Sequence, residues 1–378
     1  MTRTATFMRT DEQALLQSTV RELFESRAST GRVREVMNTE TGIDEVLWAE
    51  LAAMGLVGLT IDEADGGVGA SFVELSIVVE EAGRHLVPVP VLSSVVLGAT
   101  VLQAAGTPQQ CTRHLAAVAR GTTRLALAHL DAAGRFASEP GVRATRDPAS
   151  GDWVLDGAAG YVVDGHSAHL VVTLATTHDG PQLFLVPGDA AGLQRSRLSV
   201  LDLTRPLAHI VYTGVRVGDD ARLSGGSPRT AMDAGLTAGA VALACEQVGG
   251  TQAVLEATTA YARRRLQFGR AIGSFQAVKH RLAEMLVQSE AARSAAYHAA
   301  QVCAAGDADE LAIAAPLAKA YCSHVFEQAA ADSIQLHGGV AFTWEHDAHL
   351  FLKRAKASKL LLGTPGQHRA LLGDVLGL

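Results

Sequence analysis

The feature that most restricts the fold is that the sequence pattern changes twice along this chain of 378 residues. From Asp11 to Leu86, apolar residues recur with the spacing of amphipathic helices, and the same spacing returns from about Ser227 to the end. Between Thr122 and Val217 the pattern changes to short alternating or β-branched runs separated by turn residues, which is typical of strands. We therefore expect an α+β chain in which helical segments flank a β-region.

These changes of pattern predict three domains along the chain. We expect an N-terminal helical domain over residues 1–121, a middle antiparallel β-domain over 122–226, and a C-terminal four-helix bundle over 227–378. The runs that predict strands are 124–130, 153–155, 161–163, 170–173, 183–186 and 207–212.

Charge and composition exclude several classes of function. The formal net charge is -7, and Lys and Arg form no long run, so we expect neither a nucleic-acid partner nor binding to a membrane surface. No apolar run reaches the roughly 20 residues that a membrane-spanning helix needs. The 4 cysteines form no CxxC pair, and the 14 histidines show no metal-ligand spacing such as HExxH. We expect a cytoplasmic protein with no metal site.

A basic segment in the C-terminal part is the first candidate for a ligand site. Residues 261–285 carry Arg263, Arg264 and Arg265 in a row, followed by Phe268-Gly269. Consecutive helical positions point in different directions, so the arginines cannot all serve one face. The plain alternative is a solvated helix end, where the helix dipole favours cations.

A glycine pair in a helical pattern is the second candidate. Residues 335–354 contain Gly338-Gly339, and such a pair leaves backbone amides free to approach a phosphate or a ribose. A simple turn between two helices would also explain it.

Together the two segments resemble the acyl-CoA dehydrogenase family. Residues 265–276 match the pattern RxxFGxxIxxFQ, and residues 335–342 match QxxGGxGF with Ala341 in place of the last glycine. The resemblance covers nearly the whole chain, and it extends to subunits of the heteromeric actinobacterial type that acts on sterol side chains. It implies an oxidoreductase of lipid β-oxidation with FAD as cofactor, an acyl-CoA substrate, and an electron-transfer flavoprotein or similar acceptor.

The resemblance also implies which residues hold FAD at a subunit interface. Arg265 would pair with the pyrophosphate, since a guanidinium suits an anion. Gln267, Phe268 and Gln276 would contact the adenosine side. The remaining residues assigned to the cofactor are Gln335, Gly338, Gly339 and Thr364. Because neighbouring chains complete each FAD site in the family, we expect a homo- or hetero-oligomer, with a dimer as the minimum.

The catalytic carboxylate of the family is absent from both of its usual positions. The family reaction needs a base beside the substrate α-carbon. The usual Glu-Gly-Thr tripeptide reads Leu362-Gly363-Thr364, and the position used in a minority of members falls on Gly239. Glu246 lies seven residues, about two turns, beyond Gly239, so it shares a similar face and is our candidate base. Otherwise it is a helix surface or interface residue.

The β-domain departs from the family beside the flavin ring. The usual Thr-Glu-Pro reads Ala128-His129-Leu130, and Val163 stands where a hydroxyl would reach the flavin. Two hypotheses therefore stay open. The chain is an acyl-CoA dehydrogenase, active as a homomer through Glu246 or as one partner of an α2β2 assembly, or it is a non-catalytic subunit that completes a partner's FAD site.

Overall fold

A computed structural model describes residues 9–136 and 139–378 of the chain. The chain divides into two compact units, each assembled from separate segments. Within the described residues, the first contains 9–35, 71–87 and 240–378, and the second contains 36–70, 88–136 and 139–239. Because these units group segments by contact and not by chain order, the expected boundaries at 121 and 226 stay a prediction.

Eleven α-helices lie in the described residues. They are α1 Asp11–Arg27, α2 Thr30–Val36, α3 Glu45–Ala53, α4 Phe72–His85, α5 Ala99–Ala105, α6 Pro108–Ala119, α7 Pro228–Arg264, α8 Gln276–Ala305, α9 Ala308–His337, α10 Ala348–Leu360 and α11 Pro365–Val375. A π-helical segment, Val91–Gly98, precedes α5. None of the helices in the described ranges has an apolar stretch sufficient to cross a bilayer.

The strands lie between α6 and α7, with a short pair added after α7. They are β1 Leu125–Ala128, β2 Val142–Arg146, β3 Trp153–Val163, β4 Leu170–Thr177, β5 Gly180–Pro187, β6 Leu193–Arg197, β7 Leu207–Val217, β8 Arg222–Leu223, β9 Leu266–Gln267 and β10 Arg270–Ala271. The helical, β and helical order expected from the sequence is confirmed.

The helices of the first unit share one core. Val254 of α7, Met285 of α8, Phe326 of α9 and Ala355 of α10 belong to the same buried cluster. At Gly250 of α7 an added Cβ would lie 2.6 Å from the ring of Phe326, so this close packing requires glycine. The expected four-helix bundle is therefore present as α7 to α10, and α11 packs against α9 as a fifth helix.

Helix α4 crosses α7 with the two backbones in contact. A Cβ at Gly83 of α4 would lie 2.1 Å from the carbonyl oxygen of Glu246, and one at Gly249 of α7 would lie 1.8 Å from the carbonyl oxygen of Glu80. Only glycine allows this approach from both sides. The crossing fixes the part of α7 that carries Glu246 inside the unit.

The second unit contains a sheet in the order β6-β7-β3-β2-β4-β5-β8, with β1 also paired to β4. Most pairs are antiparallel as expected, but β1 and β2 both run parallel to β4. The separate runs 153–155 and 161–163 are the two ends of β3, whose middle contains Gly157 and two alanines. Strands β2 and β6 were not expected, because they are short, rich in arginine, and expose alternate residues.

Candidate cofactor site

A short hairpin follows the long helix α7. Helix α7 ends at Arg264, and β9 then pairs with β10 so that Gln267 lies opposite Arg270. The two turn residues, Phe268 and Gly269, have φ values of 53° and 77°, as a two-residue turn with both residues left-handed requires. Helix α8 begins at Gln276 soon afterwards. The first motif is therefore a helix, a hairpin and the start of a second helix.

This hairpin lies in the most basic part of the chain. Residues 257–283 contain no Asp or Glu, and their cationic side chains are Arg263, Arg264, Arg265, Arg270, Lys279 and Arg281. Several of them have local partners, since Arg264 Nε donates to the carbonyl oxygen of Ala260 and Arg270 lies over the Phe275 ring. Arg265 is exposed, and within the described residues its guanidinium makes no hydrogen bond or ion pair. It is therefore free to receive an anion.

The glycine pair lies at the same end of the bundle as the hairpin. Tyr261 near the end of α7 donates a hydrogen bond of 3.3 Å to the carbonyl oxygen of His337, the last residue of α9. Their rings also pack with centroids 4.3 Å apart. Gly338 follows with φ +68°, and no atom lies within 4 Å of a Cβ added at Gly338 or Gly339. Open space therefore surrounds this backbone.

Seven of the eight predicted cofactor residues meet at this end of the bundle. They are Arg265, Gln267, Phe268, Gln276, Gln335, Gly338 and Gly339, and all are exposed. The Phe268 side chain is 91% exposed. Exposed aromatic side chains beside free cations indicate a surface that a ligand or another chain covers.

The sequence did not indicate Trp344, which lies near the glycine pair. Its ring stacks on His349 with centroids 4.8 Å apart, and Lys353 Nζ lies 4.2 Å from the ring centroid. The sequence feature that could have indicated Trp344 is the presence of an aromatic residue shortly after Gly338-Gly339. Trp344 is 57% exposed, whereas Trp48 and Trp153 are buried.

Thr364 lies elsewhere in the first unit. The carbonyl oxygen of Gly363 accepts a hydrogen bond from Lys319, which precedes His337 on α9 by 18 residues (337 minus 319), or about 27 Å of helix. Thr364 Oγ1 donates to Gln367 Oε1 and accepts from the Gln367 amide, which caps α11. The prediction that Thr364 contacts FAD remains, but the hydroxyl has only acceptor capacity left.

Glu246 lies inside the bundle. It is 6% exposed, and its Oε1 is 3.3 Å from Nη1 of Arg354 on α10, which is 2% exposed. A general base must reach the proton that it removes, whereas this carboxylate neutralises a buried guanidinium. The assignment of Glu246 as base stays a prediction. Its burial contradicts the alternative of a helix surface residue and favours a structural role inside the bundle.

His129 directly follows β1 in the second unit, and the resemblance aligns it with the Glu of the usual Thr-Glu-Pro. Burial lowers the pKa of His129 to about 4, so the imidazole is neutral at pH 7. Its Nδ1 lies 3.5 Å from the carbonyl oxygen of Leu127, a weak local contact. A neutral imidazole thus replaces a carboxylate.

Across the described ranges, no group of His, Cys, Asp or Glu side chains could hold a metal ion.

Comparisons with known proteins identify the family of the chain. Family models of the acyl-CoA dehydrogenase N-terminal and C-terminal domains match residues 10–122 and 229–377. The acyl-CoA dehydrogenase IpdE2 of Mycobacterium tuberculosis is 34% identical over 94% of each chain. The chain belongs to the acyl-CoA dehydrogenase family.

Solved structures of acyl-CoA dehydrogenases have the same fold. A variant of the steroid acyl-CoA dehydrogenase Tcur3481-Tcur3483 is 32% identical, with a TM-score of 0.85 over 97% of this chain and 98% of the other. The ChsE4-ChsE5 complex of Mycobacterium tuberculosis contains a chain that is 27% identical, with a TM-score of 0.89 over 98% and 99%. The family is FAD-dependent, so FAD is the cofactor, and the free guanidinium of Arg265 beside open glycine backbone fits its pyrophosphate.

Proposed function

We propose that this chain is one subunit of a heteromeric FAD-dependent acyl-CoA dehydrogenase. It contributes the adenosine side of the FAD site, and the partner subunit supplies the carboxylate that removes the substrate α-proton. The observation that carries this proposal is that none of the three candidate positions for the catalytic base offers an accessible carboxylate. Gly239 and Leu362 have no carboxylate, and the carboxylate of Glu246 is buried against Arg354.

The bundle end supports the cofactor part of the proposal. Arg265, Gln276 and Gly338 lie together there on exposed surface, and Arg265 and Gln276 belong to the segment 257–283, which contains no Asp or Glu. Pyrophosphate needs donors and positive charge, and both are available there without breaking an existing ion pair. The departures from the family fall instead on His129 and Val163, beside the expected flavin ring.

The relatives support the assembly and the substrate class. One of the similar structures is described as a complex of two components and another as a steroid enzyme with a paired name. We extend both features to this chain, which would then act on a sterol-derived or similarly bulky acyl-CoA in the cytoplasm. Electrons would pass to an electron-transfer flavoprotein or a similar acceptor.

The second candidate is a homomeric dehydrogenase whose base is Glu246. It requires Arg354 to release the carboxylate, which leaves a buried guanidinium without that charge partner. Breaking a buried pair typically costs about 3 to 5 kcal/mol, so this candidate needs a large compensating change on substrate binding.

The test compares the chain alone with the chain co-expressed with the product of its neighbouring gene. Flavin absorption, mass by light scattering, and reduction of an artificial acceptor by acyl-CoA are measured for both. We expect little flavin and no turnover for the chain alone, and both in a complex of two different chains. Flavin-saturated homomers that turn over acyl-CoA would refute the heteromer and support the second candidate.

A further inference from the structure

Lys319 is a buried cation that the proposed function does not yet use. Its side chain is fully buried near the middle of α9, and no carboxylate of the described residues lies within ion-pair distance of its Nζ. A buried ammonium is unfavourable unless hydrogen-bond acceptors replace its water. Lys319 has four such acceptors, which come from three different places in the fold.

The acceptors lie mainly at the end of α10 and in the turn after it. Lys319 Nζ donates to the carbonyl oxygens of Ser358 at 3.2 Å, Lys359 at 3.4 Å and Gly363 at 3.2 Å. The first two carbonyls belong to the last turn of α10, which has no intrahelical donors for them and carries the negative end of the helix dipole. A single ammonium therefore joins the end of α10 to the turn at 361–364.

The turn has a backbone conformation that needs such support. Leu362 has φ 56° and Gly363 has φ 102°, both in the left-handed half of the map. A left-handed leucine is strained and persists only where its surroundings hold it. On the other side of the turn, His368 Nε2 lies 2.9 Å from the carbonyl oxygen of Leu362. Lys319 and His368 thus hold consecutive carbonyls.

We call the hydrogen bonds from Lys319 and His368 to the turn 361–364 the clamp. A layer of polar side chains connects this clamp with α7. The fourth acceptor of Lys319 is Ser323 Oγ at 3.1 Å. Gln247 Nε2 donates to Ser323 Oγ at 3.0 Å and to Ser358 Oγ at 3.2 Å. Gln247 bonds Ser358, which follows Arg354 by four residues on α10, so this layer lies about one helical turn from the Glu246–Arg354 pair. The position of the turn is therefore tied to three bundle helices.

We infer that Lys319 is a positioning residue, which holds the turn 361–364 and so sets where Leu362 and Thr364 face the cofactor and the substrate. This inference rests on the proposed function for its link to FAD. Its structural part, the holding of the turn, is independent of that function. Leu362 occupies the position where the family usually has its base, so the clamp keeps the turn formed although the base is absent.

Lys319→Met is the variant that tests the inference, because methionine keeps most of the length of the lysine side chain but has no donors. Amide hydrogen exchange of the full-length protein is followed in peptides covering 358–368 and 335–342. We expect exchange in 358–368 to become about tenfold faster or more, since a hydrogen bond to a charged donor is worth at least that factor. Exchange in 335–342, at the other end of α9, should not change.

A control variant separates the role of Lys319 from the general effect of replacing a lysine. Lys356→Met removes an exposed lysine that is paired with Glu327 and makes no contact with the turn, so exchange in the turn should be as in the wild type. If Lys319→Met does not fold, Lys319→Gln replaces it, because the shorter amide cannot reach Gly363. Unchanged exchange in 358–368, or equal acceleration in both peptides, would overturn the inference.

Flavin content of the co-expressed complex tests the link to the cofactor. We expect Lys319→Met to lower FAD retention or shift the flavin absorption spectrum, and Lys356→Met to do neither. A loosened turn with unchanged flavin content and spectrum would overturn the link to FAD. Absence of flavin from the wild-type complex would instead refute the proposed function, while hydrogen exchange would still decide the role of Lys319.

Discussion

Arg265→Ala is expected to weaken FAD binding by roughly 10- to 150-fold, whereas Arg263→Ala should leave it nearly unchanged. The range follows from the loss of one charge-assisted hydrogen-bonding group to a phosphate, about 1.5 to 3 kcal/mol. The two arginines make a matched pair, because both are exposed and neither has a side-chain partner within the described residues. They differ in position, since Arg263 belongs to the last turn of α7 and Arg265 lies beyond the helix end.

The assay is a titration of the flavin-free complex with FAD, followed by the quenching of flavin fluorescence at low and at moderate salt. Because Arg265 forms no ion pair with any residue that the structure describes, its removal should change the free energy of unfolding of the flavin-free protein by less than about 0.5 kcal/mol. The loss of affinity should also shrink as salt rises, since mobile ions screen exposed charges. Equal dissociation constants for the two variants would refute the assignment of Arg265 to the pyrophosphate.

Two further predictions concern buried charges of the bundle. Glu246→Gln should lower the free energy of unfolding by about 3 kcal/mol, because it removes the carboxylate charge that faces the buried guanidinium of Arg354, while turnover per folded complex stays unchanged. A hundredfold or larger loss of turnover at full flavin content would identify Glu246 as the base after all. Burial lowers the pKa of Lys319 to about 8 from 10.5, so the folded state loses this proton before the unfolded state does. Below pH 8 the buried charge lowers the free energy of unfolding, and this unfavourable contribution should fade as the pH rises to 10.5. Over that range the free energy of unfolding of the wild type, measured with urea, should rise by about 3 kcal/mol relative to that of Lys319→Met. A difference between the two proteins that does not depend on pH would contradict this.

The sequence predicted the order of the elements well because burial leaves a periodic record in the chain. Strands β4 and β5 have long apolar runs, whereas β2 and β6 alternate with arginine and so resemble loops when read locally. The parallel pairing of β1 and β2 with β4 depends on contacts between distant segments. No local pattern in the sequence carries that information.

The candidate site was predictable to the extent that it depends on consecutive residues. The segments around Arg265 and Gly338 are short sequence motifs, and the backbone conformation of each depends mainly on its own consecutive residues. The surroundings of Glu246 and Lys319 could not be predicted in this way. Glu246 meets Arg354 across 108 residues of sequence, and Lys319 has no special neighbour in an alanine-rich helix that would mark it as buried. Helical phase places Glu246 on a face but does not say what packs against that face.

The turn of the β9–β10 hairpin affects how fast and how selectively this chain would associate with a partner subunit. Phe268 and Gly269 each occupy a left-handed conformation in a two-residue turn, so the exposed ring at its tip has little backbone freedom left to lose. A flexible loop would have to be ordered at the moment of contact, which weakens binding and slows the final docking step. Here the chain has ordered the tip during its own folding. In the proposed assembly a partner would therefore meet an aromatic side chain whose backbone is already fixed, and a surface without a matching recess would be rejected at first encounter rather than after rearrangement.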